Sequence, residues 1–257
     1  MVKINKKVVA GIPCKDEELI IAKNLKALST FCHKIIIVDD GSTDRTEEIC
    51  KSFPKVEFYK RVKTNKNNNL REDGIQRQMI LTHMAKHNPD YCLFLDADEI
   101  PSPDIVQFIN TINPKINLWK LPWIHLWKDD QHYRIDKYKT PTNINVNWHP
   151  FKGGQRKGNL MKFDKNINYQ YVKNKPCSVP MEPKNVPLPH STTEKTRIVH
   201  WGKISEVYKS GEHDKIYAEV RAKFYKMNLN QRIQHHTDCR SEKTLKLAKV
   251  EKGWHWD

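Results

Sequence analysis

Residues 34–46 read KIIIVDDGSTDRT. Lys34–Val38 is a short β-branched apolar run, the pattern of a strand buried on both faces. It ends on two carboxylates, Asp39 and Asp40. A glycine and small hydroxyl residues follow, and then Thr46–Ser52 reads as a short helix with Asp44 as its N-cap. A buried strand that runs directly into acids, a glycine and a helix start is one βα step of a parallel sheet. Taken alone, the same residues would also suit an ordinary capped turn.

The step recurs on both sides of this stretch. Val8–Ile12 is a second apolar run, followed by a predicted helix over Asp16–Leu28 with acids in its first turn and Ile21, Leu25 and Leu28 at helical spacing. Val56–Tyr59 is a further strand, and residues 60–72 (KRVKTNKNNNLRE) are a polar, Asn-rich loop. A helix is predicted from Asp73 through His87, with Ile75, Met79 and His83 on one side. Tyr91–Leu95 (YCLFL) is the fourth strand and meets DADE at once. Strands alternating with helices imply parallel pairing through right-handed crossovers. Ligands of such sheets bind outside the carboxyl ends of the strands. Three acidic clusters sit there: Cys14–Glu18, Asp39–Asp40 and Asp96–Glu99.

Beyond residue 110 the pattern weakens. In NLWKLPWIHLWKDD, Trp119, Leu121, Trp123, His125 and Trp127 alternate, so a strand would place three tryptophans on one face. Pro122 argues that this strand lies at an edge or bulge. Residues 139–195 read as loop-dominated, with FKGGQRKG a basic turn. Arg197–Trp201 is a short strand, and amphipathic helix follows from Ile204.

The 257 residues carry 45 Lys+Arg against 30 Asp+Glu, a net charge of +15. Residues 1–100 hold 17 basic and 15 acidic side chains, whereas residues 101–200 hold 16 and 7, so the positive excess lies downstream. A basic half of this kind suits an anionic partner: nucleotide phosphates, an acidic glycan, a membrane surface or nucleic acid. No run approaches the length of a membrane span. The six cysteines are scattered with no CxxC pair, as expected of a reduced, cytoplasmic chain, with peripheral contact to a membrane left open. No P-loop, dinucleotide fingerprint or Ser-centred elbow occurs.

The acids carry the chemistry. Carboxylates at the end of the second strand can accept hydrogen bonds from a nucleobase or ribose. Asp96 and Asp98, separated by one residue, can hold a hard divalent cation whose shell substrate phosphates complete. VVAGIPCKDEE, IIIVDDGSTDRT and CLFLDADEIPSPD, in that order, resemble the nucleotide-sugar domain of family 2 glycosyltransferases, over about the first 110 residues. The resemblance implies an α/β chain of GT-A type, a Rossmann-like, mostly parallel sheet flanked by helices, with a C-terminal helical segment. It divides into a nucleotide-sugar half (1–110), an acceptor-side half (111–203) and a C-terminal extension (204–257). It further implies sugar transfer from a nucleotide-diphosphate donor, a UDP-sugar foremost, to a glycan or lipid-linked acceptor, with inversion and with Mn²⁺ or Mg²⁺.

Carried over by position, Pro13, Glu17, Asp39, Asp40, Arg77 and Asp96 are the donor-binding residues, with Asp16 standing where the family commonly has Asn. Asp98 is the metal ligand. RIVHWG resembles a late H-x-G element, making His200 a candidate third ligand. Arg156 and Lys157 are candidates for phosphate contact. An inverting transfer needs a base for the acceptor hydroxyl. The family often has a Glu-Asp pair for this after the D-x-D, and the chain lacks one. Asp130, with Asp129, is the nearest substitute, ahead of Asp136 and Glu99. The reading from a different class is a non-catalytic anion- or nucleic-acid-binding protein using the basic half. Against it, the recognisable site is acidic and no nucleic-acid-binding motif occurs.

Overall fold

The computed structural model describes residues 4–61, 73–141, 143, 145–169, 183–201 and 242–256. Strands β1 (Val8–Cys14), β2 (Lys34–Asp39), β3 (Val56–Lys60) and β4 (Tyr91–Phe94) pair in parallel in the order β3-β2-β1-β4. Helices α1 (Ile21–Ser29), α2 (Thr46–Lys51) and α3 (Asp73–Ala85) connect them. Alternation along each strand feeds two cores. Ala10, Ile12, Ile35, Ile37 and Leu93 pack with Leu25 and Leu28 of α1, while Val9, Ile36, Val38 and Phe94 pack with Ile80 and Met84 of α3. A sheet covered on both faces is why these strands are continuous apolar runs. Cys14, Cys32, Cys50 and Cys92 are free and buried in it, and burial pushes the Cys50 and Cys92 thiols up to about 12. They act as small hydrophobes.

The sheet does not stop at β4. After β5 (Glu99–Pro101) and α4 (Ile105–Asn110) come β6 (Leu118–His125), β7 (His132–Arg134), β8 (Lys137–Lys139) and β9 (Asn145–Asn147). Then follow β10 (Arg156–Lys162), β11 (His190–Thr192), β12 (Ile198–His200) and β13 (Leu247–Lys249). The order continues β4-β10-β6-β12-β5, with β11 also on β6, so strands from both sides of residue 110 share one mixed sheet. β10 runs antiparallel to β4 and β6, and β12 runs parallel to β6.

Four expectations are corrected. FKGGQRKG is a turn only in its first part, Phe151–Gly153, because Arg156 and Lys157 open β10, an interior strand of the sheet. The span 139–195 stays loop-dominated among the described residues, with β9, β10 and β11 set in it. Pro122 sits in an interior strand rather than at an edge, and the bulge alternative has a counterpart nearby, since the β6–β10 ladder shifts register between Gly158 and Leu160, opposite Lys120 and Trp119. Trp123 N–H donates to Gln155 O toward β10 at 3.1 Å, so the nitrogen of Pro122 points the other way. There it falls between the end of β11, at Thr192↔Lys120, and the start of β12, at Ile198↔Trp123, so no ladder bond is lost. The first helix begins at Ile21, not Asp16. Asp16 adopts φ +53°, and the loop acids bond across to the next turn instead of capping. Lastly, residues 242–256, expected as helix, hold β13 paired with β7, and Trp256 stacks on Phe31 at 5.8 Å. The rest of that expected helical extension, 204–241, lies outside the described residues, as do Cys177 and Cys239 and residues 62–72 of the Asn-rich loop. Among the described residues no helix is long and apolar enough to cross a membrane.

Gly11 marks how closely α3 rides on β1. A Cβ there would overlap Ile80 Cγ2 and lie 2.9 Å from Met84 Sδ. Gly11→Ala is expected to cost about 1–3 kcal/mol by overpacking. The check is a urea melt, in which the midpoint falls with the slope unchanged.

Candidate active site

The loops after β1 and β2 are stitched together. Asp16 N–H donates to Ser42 Oγ at 2.9 Å, and Thr43 N–H donates to Asp16 Oδ1 at 2.7 Å. Glu17 N–H donates to Thr46 Oγ1 at 2.8 Å, and Glu18 N–H to Asp44 Oδ2 at 3.0 Å. Asp44 also accepts from Thr46 N–H at 3.0 Å, holding the first residue of α2 as well as the other loop, although the N-cap position falls on Arg45 rather than on Asp44 as expected. Pro13, paired with Val38, lies just before this seam.

Asp39 is fully buried and accepts from Gly41 N–H at 3.0 Å, from Ser42 N–H at 3.0 Å and from Ser42 Oγ–H. Gly41 has φ +83°, a conformation that glycine takes without a Cβ clash, and this lets the turn fold back on the carboxylate. Asp40 pairs inside the protein with Arg61, whose Nε donates to its Oδ1 at 2.9 Å. Both carboxylates are therefore occupied by the protein, and they shape the turn from within.

Two residues of α3 link these loops to the third acidic cluster. The Gln76 Nε2 amide donates to Val38 O at 2.7 Å and to Cys14 O at 3.4 Å, fastening the ends of β2 and β1. Its neighbour Arg77 donates from Nη2 to Asp96 Oδ1 at 2.7 Å. From the opposite face, buried Asn24 of α1 donates to Ala97 O at 3.0 Å and Asp96 O at 3.3 Å. The three expected clusters are brought to one edge by side chains that carry no obvious signal in the sequence. Asn24 and Gln76 look like ordinary polar helix positions until their faces prove buried.

Lys157, at the start of β10, reaches into the acids. Its Nζ lies 2.6 Å from Asp96 Oδ2 and 2.5 Å from Glu99 Oε1. Glu99 is fully buried and its Oε2 accepts from Asp96 N–H at 2.8 Å. Burial pushes the Asp96 carboxyl up, but Lys157 and Arg77 outweigh it and hold the group well below the usual carboxylate range. Glu99 goes the other way, raised by burial and by the Asp96 and Asp98 charges against the pull of Lys157. Burial alone would lower Lys157, yet the two carboxylates keep it raised and charged. Arg156 points elsewhere, to Thr193 O at 3.0 Å and Glu194 at 2.9 Å.

Asp98 faces His200, with Oδ2 and Nε2 3.1 Å apart. Burial raises the Asp98 carboxyl, and the imidazole opposite, when it carries both protons, brings it net below its ordinary value. β12 supplies this histidine, and Trp201 N–H donates back to Asp98 O at 2.8 Å. Trp123 walls the site, with its ring 5.0 Å from that of His200 and 5.1 Å from Lys157 Nζ. The expected tryptophan face divides in use. Trp119 packs edge-on to Phe108 in the core, and Trp127, beyond β6, stacks on Arg134.

The donor set suits a hard cation. Among the described residues no group of three or more His, Cys, Asp or Glu side chains converges on a metal position. Mg²⁺ and Mn²⁺ in phosphate-transfer sites are held by one or two protein carboxylates with substrate phosphates completing the shell. Asp98 and His200, side by side, fit that pattern, and the imidazole favours Mn²⁺. Asp96 keeps 37% of its side chain exposed while both its oxygens are engaged by cations.

The four other carboxylates considered as base separate clearly. Asp136 is buried against Arg134, with Oδ1 2.6 Å from Nε, and Glu99 is held by Lys157. Asp129 accepts from Gln131 N–H at 2.8 Å and contacts His132 Nδ1 at 2.8 Å. Asp130 is half-buried in the same turn, and its charge acts on Lys23 of α1, whose Nζ lies 3.5 Å from the centroid of the Trp201 ring.

The family model described as Glycosyl transferase family 2 matches residues 10–159. A probable glycosyltransferase of Bacillus subtilis, YdaM, is 33% identical over 110 residues, covering 40% of this chain and 25% of its own. The chain thus spans about a quarter of the length of that curated relative. Among solved structures, S. aureus TarS (residues 1–349) is similar at 20% identity, TM-score 0.34, over 48% of this chain and 36% of its own. Glucosyl-3-phosphoglycerate synthase of Mycobacterium tuberculosis, in complex with Mn²⁺, UDP and glucosyl-3-phosphoglycerate, is similar at 20% identity and TM-score 0.35, over 48% of this chain and 45% of its own.

Lys157→Met leaves Glu99 buried without its cation and is expected to cost about 3 kcal/mol at pH 7. In the wild type, Asp96 has its folded pKa below its unfolded value of about 3.9. Its contribution is therefore present above that value and is lost as pH falls through the folded pKa. Denaturant melts should show the gap between wild type and variant narrowing on acidification below about pH 4.

Proposed function

The chain belongs to glycosyl transferase family 2, and on that premise we propose that it transfers a sugar from a nucleoside-diphosphate donor, a UDP-sugar foremost, to a hydroxyl of a glycan or lipid-linked acceptor, with inversion and with Mn²⁺ or Mg²⁺. The observation that carries the reading is the pairing of Asp98 with His200 beside a carboxylate, Asp96, whose two oxygens are held by Arg77 and Lys157.

Asp98 and His200 would hold the cation. When bound, it supplies Lewis-acid stabilisation of the charge that grows on the β-phosphate as the bond to the sugar breaks. The chain's own residues do the rest. Asp39 and Asp40 lock the β2–α2 turn, so the backbone around Gly41 offers a rigid floor to the nucleobase, and Pro13 and Glu17 line its other side. Asp40 meets a ribose hydroxyl only where Arg61 yields it. Arg77 and Lys157 hold Asp96 ionised and oriented, with its exposed edge turned to the donor. Trp123 gives the sugar ring an apolar wall. Asp130 takes the proton of the attacking hydroxyl. It is half-buried, its charge acts on Lys23 of α1, whose Nζ lies over the Trp201 ring, and Asp129 lies beside it in the turn.

Two measurements test this. Calorimetric titration with UDP, GDP and dTDP, with and without Mn²⁺, should show metal-dependent binding of one nucleotide, lost in Asp98→Ala. Absence of binding in folded protein would return the chain to the anion-binding reading based on its charge. Asp130→Asn should lower kcat by about 10²–10⁴-fold with the donor KM little changed. A variant with unaltered kcat removes Asp130 from the role.

A further inference from the structure

His200 does not end the line of polar contacts at the cation position. β6 and β12 run parallel with His125 opposite His200, so both imidazoles project from the same face of the sheet. Their Nδ1 atoms lie 3.2 Å apart, and His125 Nε2 lies 3.3 Å from Gln155 Oε1. Gln155 is fixed beside His125 because its backbone carbonyl accepts from Trp123 N–H. Both histidines are nearly closed to solvent, at 3% and 6% exposure, so water does not scramble the chain. The Trp123 ring, 4.3 Å from that of His125, and the Trp148 ring, edge-on at 4.9 Å, restrict the imidazole.

Two proton orders are open to neutral rings along this chain, and the orientation of the Gln155 amide selects between them. Gln155 Oε1 can only accept, so His125 donates from Nε2 and presents a bare Nδ1. That Nδ1 accepts from His200, which must carry its proton on Nδ1. His200 Nε2 is then a lone pair facing the Asp98 carboxylate at 3.1 Å. Two acceptors this close repel unless something positive lies with them. Were the Gln155 amide turned over, every bond would reverse. His200 would then donate from Nε2 to Asp98, and that nitrogen could not ligate a metal.

We propose that His125 and Gln155 are positioning residues that hold His200 in its Nδ1–H form, so that Nε2 and Asp98 together face one divalent cation. The inference rests on the metal-dependent reading above. The oxygen of Gln155, just before β10 and on neither histidine's strand, sets the direction of the whole chain.

The test compares Gln155→Glu, which can only accept, with Gln155→Leu, which can do neither. Gln155 is solvent-exposed, so neither change threatens folding. Mn²⁺ is titrated into the full chain with UDP present, and ¹⁵N spectra of histidine-labelled, metal-free protein report the tautomer of His200. Gln155→Leu is expected to weaken Mn²⁺ binding about tenfold or more. It should also shift His200 toward the Nε2–H form, while Gln155→Glu retains wild-type affinity or better and the Nδ1–H form. Equal Mn²⁺ affinity in wild type and Gln155→Leu, or wild-type His200 with its proton on Nε2, overturns the inference alone. A wild-type protein that binds no Mn²⁺ with UDP overturns the donor-site reading and this inference with it.

Discussion

Three carboxylates, Asp96, Asp98 and Glu99, leave the end of a buried strand within four residues of one another, and like charges so placed cannot all be ionised without compensation. The arrangement of the site follows from this demand. Lys157 enters between Asp96 and Glu99, and Arg77 takes the free oxygen of Asp96, while Asp98 is left facing His200. The two compensating groups arrive from different elements, β10 and α3. The charge cluster therefore requires the later strands to join the sheet beside β4, and the mixed half of the fold is coupled electrostatically to the parallel half.

Neutral hydrogen bonds do a second job, holding the loops in place so that the charges meet at fixed distances. Asn24 grips the backbone of the Asp96–Ala97 turn from one face of the sheet, and Gln76 grips the ends of β1 and β2 from the other. Being buried, these amides gain from every bond they make and would be costly unpaired. Gly11 lets α3 come close enough for Gln76 and Arg77 to reach. Packing at one glycine thus bears on the ionisation of a carboxylate on a different strand.

The parallel half was legible because its signal is local. KIIIV, VVAGI and YCLFL are apolar runs whose period and length depend only on their own residues, and the acids that follow them mark the strand ends. The second half was misread where pairing overrode local pattern. The end of FKGGQRKG reads as part of a basic turn, yet it opens β10, whose Leu160 and Met161 bury on the sheet while Lys157 is drawn inward by acids some sixty residues away. Pro122 looked like an edge signal, and it sits inside because its missing donor falls in a gap between β11 and β12.

By itself the sequence determined the βα alternation and the edge on which the acids gather, since each depends on short-range pattern and strand direction; the pairing of Asp98 with His200 was implied only by the resemblance. Only the tertiary structure decided what state those residues are in. Asp39 and Asp40 are turned inward, Asp96 is held by two cations, and His200 is backed by a proton-ordered line through His125 to Gln155. Protonation and hydrogen-bond direction depend on which groups lie within about 3 Å. That is a property of the packed sheet, which no single segment carries.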